Sequence, residues 1–187
     1  MRVKYGTKEE IGPWMDLVRE VSPGFPGLET EECLQEHRET VLKFMGDRRA
    51  LCVKSGEGIA GVLLFSRKRN QICCLAVSPW HRREGIASAL LGEALGQLDR
   101  SRDITVSTFR EEDEKGRAPR ALYRKFGFVE GELVEEYGYP NQVFVLPRKG
   151  QVVMETERLI LREFVPEDFE PFFEIVSDPE TMQHYPK

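Results

Sequence analysis

Residues 72–87 read Ile-Cys-Cys-Leu-Ala-Val-Ser-Pro-Trp-His-Arg-Arg-Glu-Gly-Ile-Ala, and the fold is decided by their order. The apolar run 72–77 predicts a buried strand. Pro79 turns the chain, and the Ala- and Leu-rich stretch 86–98 predicts a helix. A strand that passes through a short basic turn into a helix start makes a seat for a pyrophosphate. The first N–H groups of a helix have no intrahelical partner, and the helix dipole adds partial positive charge there. Gly85 lets a phosphate approach the backbone, Ala87 keeps the wall small, and Arg82 and Arg83 supply charge. A plain helix start can carry the same residues, so the surroundings must decide. The turn itself holds neither Gly-x-Gly-x-x-Gly nor Gly-Lys-Ser/Thr, which sets it apart from the dinucleotide and nucleotide loops.

The chain has 187 residues, enough for one domain and an additional segment, and its 40% hydrophobic content supports a core. The formal net charge is −5, which predicts no nucleic-acid partner. No apolar stretch reaches the roughly 20 residues that span a membrane. The opening Met-Arg-Val-Lys-Tyr-Gly has no signal-peptide apolar region, and a cytoplasmic location is expected. Cys33, Cys52, Cys73 and Cys74 form no CxxC pair, so no metal is expected. They read as small buried hydrophobes kept reduced. Cys73 and Cys74 point to opposite faces of one strand, and one of them lining a reaction channel is the alternative.

Working outward, residues 1–6 predict a first strand. Thr7 and Glu10 form a capping box for a helix carrying Ile11, Trp14, Met15 and Val18. Residues 22–27, Ser-Pro-Gly-Phe-Pro-Gly, break it. A second helix starts at Thr30, with Leu34, Val41, Leu42 and Met45 on its apolar side, and ends at Gly46 and Asp47. Strands over 50–54 and 59–66 form a hairpin, and a turn over 67–70 leads to the central strand 71–77. Strand 104–108, a polar loop 110–119, a short helix around Ala121, Leu122 and Tyr123, and strands near 132–136 and 143–146 complete an α/β unit.

Arg-x-x-Gly-x-Ala after Leu-Ala-Val-x-Pro resembles the acyl-CoA-binding motif Gln/Arg-x-x-Gly-x-Gly/Ala of the GNAT family of N-acetyltransferases. Residues 120–128, Arg-Ala-Leu-Tyr-Arg-Lys-Phe-Gly-Phe, are similar to the Leu-Tyr-x-Lys-x-Gly-Phe segment that closes that fold. The resemblance covers residues 1–148. It implies an α/β fold with a mixed, mostly antiparallel central sheet, splayed at the acyl-CoA site and flanked by helices. It also implies acetyl-CoA as acyl donor and no metal. Backbone groups of Leu75, Ala76 and Val77 would pair with pantetheine, and Val77 N–H would donate to the developing oxyanion. Arg82, Arg83, Glu84, Gly85, Ile86 and Ala87 would hold the pyrophosphate. Tyr123 matches the tyrosine that protonates the leaving thiolate. By position, Phe25, Leu28 and Glu29 would shape the acceptor pocket.

The chain departs from the family in two places. Gln71 stands near the position of a glutamate base and cannot take a proton, leaving Glu31, Glu32, Asp113 or a water chain as candidates. His37 reads as a surface residue, and His81 sits beside the phosphates rather than acting as a base. Gly116 stands where many relatives have asparagine, in a loop carrying Glu111, Glu112, Asp113 and Glu114. That run is either a solvated charge cluster or an acidic lip for a cationic amine.

Residues 149–187 do not resemble a GNAT ending. Thr-Glu-Arg-Leu-Ile-Leu-Arg at 156–162 and the stretch closing on Ser-Asp-Pro-Glu at 177–180 resemble the start of the ribosomal-protein alanine acetyltransferase branch. A strand over 156–164 and a helix over 166–177 burying Phe169, Phe172 and Phe173 are expected. So short a piece must dock on residues 1–148, pair with another copy as a homodimer, or stay disordered. The leading functional expectation is an N-acyltransferase acting on a small-molecule or protein amine. The alternatives are a non-catalytic acyl-CoA-binding sensor and an interaction module.

Overall fold

The computed structural model describes residues 2–56, 58–150, 152–165 and 168–183. Its main strands are β1 (Val3–Tyr5), β2 (Ala50–Ser55), β3 (Gly58–Ser66), β4 (Gln71–Val77), β5 (Ile104–Phe109), β6 (Val129–Glu136) and β7 (Tyr139–Leu146). They form one sheet in the order β1-β2-β3-β4-β5-β7-β6. Every neighbouring pair is antiparallel except β4 and β5, which run parallel. The fold is therefore the mixed, mostly antiparallel α/β sheet expected from the sequence.

Side chains alternate across the sheet, and two cores result. On one face Leu51, Leu63 and Phe65 pack with Ile86, Leu90 and Leu91 of α3 (Ile86–Leu95) and with Tyr123 of α4 (Arg117–Lys125). On the other face Cys52, Val62 and Leu64 pack with Trp14, Met15 and Val18 of α1 (Ile11–Val21) and Val41 of α2 (Glu31–Gly46). Burying each large side chain contributes on the order of 1.5–3 kcal/mol. Gly61 admits α3 to the sheet, because a Cβ there would stand 2.5 Å from Ile86 Cγ2. Thr7 opens a short 3-10 turn, Lys8–Glu10, ahead of α1. The Glu10 carboxylate accepts from Thr7 N–H at 3.1 Å and pairs with Lys4 and Lys54. Burial pushes that carboxyl up, but these partners outweigh it and hold it at about 2.

One feature of this sheet positions everything downstream. β4 and β5 pair only at Gln71↔Thr105 and Ile72↔Val106. Beyond that point β5 follows β7 as far as Phe109↔Asn141. The register between β3 and β4 slips, with Leu64 opposite Cys74 but Phe65 opposite Ile72, so Cys73 sits in a bulge. Asn70, fully buried and in the left-handed region at φ 52°, fixes where the strands still meet. Its side-chain amide donates to Asp99 O at 2.8 Å and Asp103 O at 2.9 Å, and its Oδ1 accepts from Asp99 N–H at 2.9 Å. Its backbone carbonyl takes Thr105 N–H at 3.1 Å.

Several elements differ from the sequence reading. α3 stops at Leu95 rather than 98, and Gly96 follows it. α4 begins at Arg117, four residues before the expected Ala121, with Pro119 accommodated in its first turn. β6 begins at Val129 because a bulge between Glu130 and Leu133 breaks its alternation. The tail folds as a hairpin of β8 (Val152–Glu155) and β9 (Ile160–Arg162), not as one strand over 156–164. Thr156 is the cause. Its hydroxyl accepts from Leu159 N–H at 3.1 Å and its own N–H donates to Leu159 O at 2.9 Å, which closes a turn.

The tail helix is α5 (Phe169–Ser177), followed by α6 (Pro179–Met182); residues 166 and 167 of the expected helix lie outside the described residues. Phe169, Phe172 and Phe173 are 62%, 47% and 53% exposed, so the expected burial does not occur within this chain. Phe164 meets Phe172 edge-on and Phe169 stacks on Phe173.

Asn70→Gly keeps the left-handed backbone accessible but removes the amide. We expect it to lower stability by roughly 2–4 kcal/mol, because buried carbonyls and an N–H lose their partner. Urea denaturation measures this, and a loss under about 1 kcal/mol would mean that Asn70 does not hold β4 to β5.

Candidate functional site

The turn after β4 is built from local hydrogen bonds. Ser78 N–H returns to Ala60 O at 2.9 Å, and Ser78 caps the 3-10 turn Pro79–His81 by accepting from Trp80 N–H at 3.4 Å. Arg83 and Gly85 both adopt positive φ, 65° and 81°, so the chain coils tightly before α3. Gly85 is the N-cap residue of α3, and its carbonyl accepts from Ala89 N–H at 3.0 Å. Arg82, Arg83, Glu84 and Gly85 are exposed, whereas Ile86 is buried in the core. The segment thus offers two exposed guanidinium groups and a helix N-terminus on one short turn. His81 Nδ1 lies 3.3 Å from Glu84 Oε1.

Leu75, Ala76 and Val77 lie on the part of β4 that has left β5, so the expected splay is present. Tyr123 sits on α4, 4% exposed, with its ring 5.6 Å from Phe128 and 6.0 Å from Phe144. Burial pushes its phenol well above the usual value, and Cys74 adds in the same direction. Burial likewise raises the Cys74 thiol to about 12. One turn earlier, Arg120 is 2% exposed and joins α4 to three strands. It donates to Phe109 O at 3.2 Å and Gln142 Oε1 at 2.7 Å, lies 2.9 Å from Glu130, and stacks on Phe144. Arg120 has no signal in the sequence, because its partners lie 10–22 residues away on other elements.

Phe25, Leu28 and Glu29 come together. They line one pocket of about 330 Å³ with Ser22, Pro23, Pro26, Lys115 and Tyr139. The last two were not anticipated. Tyr139 OH donates to Asp113 Oδ2 at 2.5 Å, and its ring meets Phe109 edge-on at 5.6 Å. The hydrogen bond from Tyr139 holds the Asp113 carboxyl below its usual range and pushes the Tyr139 phenol up.

Asp113 is therefore a poor proton acceptor. Glu31 and Glu32 sit exposed in the first turn of α2. His37 is half-buried on the same helix, and burial lowers its ring below the usual value. Gly116 packs where a Cβ would stand 2.8 Å from Arg110 O, so the asparagine found in relatives has no room there. Glu111 faces Arg124 at 3.3 Å and Arg120 at 4.0 Å. Part of the acidic run is thus paired internally rather than forming a free lip. Among the described residues no group of three or more His, Cys, Asp or Glu is placed to hold a metal, and no helix is long and apolar enough to cross a membrane.

No curated protein matches the chain. Similar folds occur among solved structures. The ribosomal-protein-S18-alanine N-acetyltransferase of Escherichia coli is 17% identical, with a TM-score of 0.60 over 86% of this chain and 99% of its own. An N-acetyltransferase of Staphylococcus aureus Mu50 is 15% identical, with a TM-score of 0.62 over 78% of this chain and 100% of its own. The PaiA N-acetyltransferase of Thermoplasma acidophilum, solved in complex with coenzyme A, is 14% identical, with a TM-score of 0.57 over 78% of this chain and 98% of its own. At these identities the likeness is one of fold. Residues 46–130 match the family model of the acetyltransferase (GNAT) domain, a span that holds the bulged strand, the Gly85 turn and Tyr123. The match to that domain thus falls on the part of the chain that builds this site, and the solved structures share its fold.

Proposed function

We propose that the protein is an N-acetyltransferase that moves an acetyl group from acetyl-CoA to an amine by direct attack on the thioester. The observation that carries this reading is the strand β4, freed from β5 beyond Ile72 and continuing through the Gly85 turn into α3. When bound, acetyl-CoA supplies the activated acyl group. Backbone groups of Leu75, Ala76 and Val77 pair with the pantetheine arm as an added strand would. Arg82, Arg83 and the N–H groups of residues 84–87 hold the pyrophosphate, and Gly85 leaves the backbone approachable. Val77 N–H donates to the thioester carbonyl oxygen as negative charge builds on it. Tyr123 gives its proton to the departing sulfur. Its burial keeps the phenol protonated, and burial of the kind that raises the Cys74 thiol would make a sulfur anion costly. With Asp113 engaged by Tyr139, the proton lost by the amine leaves through water. Residues 1–148 form the catalytic domain in this reading, and residues 149–187 are the start of a second.

Two variants test the proposal by calorimetry and by release of free CoA. Gly85→Glu adds bulk and negative charge at the phosphates and should weaken acetyl-CoA by at least about tenfold. Unchanged affinity would put the seat elsewhere. Tyr123→Phe should lower turnover roughly 10²- to 10⁴-fold with acetyl-CoA affinity nearly unchanged. Full turnover would leave Tyr123 a packing residue. A general acid must be protonated, and the raised phenol moves its loss of function upward, so Tyr123 should produce no alkaline fall in turnover below about pH 10. A wild-type protein that binds acetyl-CoA but releases no CoA with any amine would be a non-catalytic acyl-CoA-binding module.

A further inference from the structure

The pocket beneath the turn between α1 and α2 carries one charge of each sign. Glu29 and Lys115 both line it, and Phe25, Leu28 and Pro23 supply apolar surface. The Glu29 carboxylate is fixed through one oxygen, Oε1, which accepts from Gly27 N–H at 2.9 Å. The Lys115 ammonium lies 5.5 Å from the Tyr139 ring centre and 5.8 Å from that of Phe109. The neighbouring Asp113 does not take that ammonium by hydrogen bond. Its Oδ2 accepts from Tyr139 OH at 2.5 Å and its Oδ1 from Lys115 backbone N–H at 2.9 Å. The Tyr137 ring reaches Gly27, lying 3.0 Å from where a Cβ would stand, so the tip of the β6–β7 hairpin meets this turn. The pocket is open to solvent, and its volume of about 330 Å³ is at the small end of the roughly 300–1,000 Å³ of small-molecule sites.

We infer that the acceptor is a small amino acid with an apolar side chain, its ammonium held at Glu29, its carboxylate at Lys115 and its side chain against Phe25 and Leu28. The inference rests on the acyl-transfer reading for its meaning but on the pocket alone for its geometry. A polycation would meet Lys115 with a like charge, and the acidic run that could offset this is partly engaged by Arg124, Arg120 and Tyr139. A dicarboxylate would meet Glu29. A zwitterion with an apolar body matches all three features at once.

Calorimetric titration without acetyl-CoA tests this with two matched series. The first is phenylalanine, phenethylamine and 3-phenylpropanoate; the second is leucine, 3-methylbutylamine and 4-methylpentanoate. At least one amino acid should bind about tenfold or more tighter than both of its truncated analogues. Lys115→Met should reduce its binding to the level of the amine, and Glu29→Gln to the level of the carboxylic acid. Both side chains are exposed, so neither substitution disturbs the core. The inference is overturned if the amines bind as tightly as the amino acids, if neither amino acid binds, or if the two variants leave the ratios unchanged. A protein that binds the amino acid but not acetyl-CoA would overturn the acyl-transfer reading instead.

Discussion

The site depends on where the pairing of β4 with β5 stops. A central strand in a sheet normally satisfies its backbone groups on both sides. Here only Gln71 and Ile72 do so against β5, and the bulge at Cys73 turns the rest of the strand aside. Asn70 makes the geometry one of partial rather than complete separation. Its buried amide binds the loop that leads into β5, so the two strands are tied at one end and open at the other. The opening is a wedge whose backbone edge is suited to a partner presented as a strand.

The remaining parts of the site are placed by packing against that wedge. Gly61 brings α3 close to β3, which puts the Gly85 turn directly at the free end of β4. On the other side of the opening Arg120 fastens α4 to β5 and β7, and with it Tyr123. A buried guanidinium is costly unless its partners are in place, so this attachment tolerates little displacement of the helix. The phenol is thereby kept in a dry position and protonated. The pocket lined by Phe25, Leu28 and Glu29 is built differently, from a turn rich in proline and glycine and from loop residues, surfaces that can change without altering the sheet.

Features set by contiguous residues were legible in the sequence. The strand over 71–77, the turn at Gly85 and the segment around Tyr123 each show a local pattern, and the structure places them as that pattern required. Phe25, Leu28 and Glu29 were named from position and do share a pocket. What escaped depends on contacts between distant residues. Asn70 looked like an ordinary turn residue because its partners lie 29–33 positions away. Lys115 and Tyr139 join the pocket from separate loops, and Asp113 became a partner of Tyr139 rather than a base. In the tail, one threonine hydroxyl closed a turn inside a stretch whose alternation favoured a strand. Local side-chain hydrogen bonding won over periodicity there.

The freed edge of β4 is the place proposed to bind an acyl-CoA arm. Amide hydrogen exchange over residues 73–77, with and without CoA, reports on that edge directly. The amides that face the gap should exchange fast in the free protein and slow by at least about tenfold when CoA is added, as N–H groups do when they gain a strand partner. Protection that stays unchanged while calorimetry shows CoA bound would contradict it, because the ligand would then be seated away from the opening between β4 and β5.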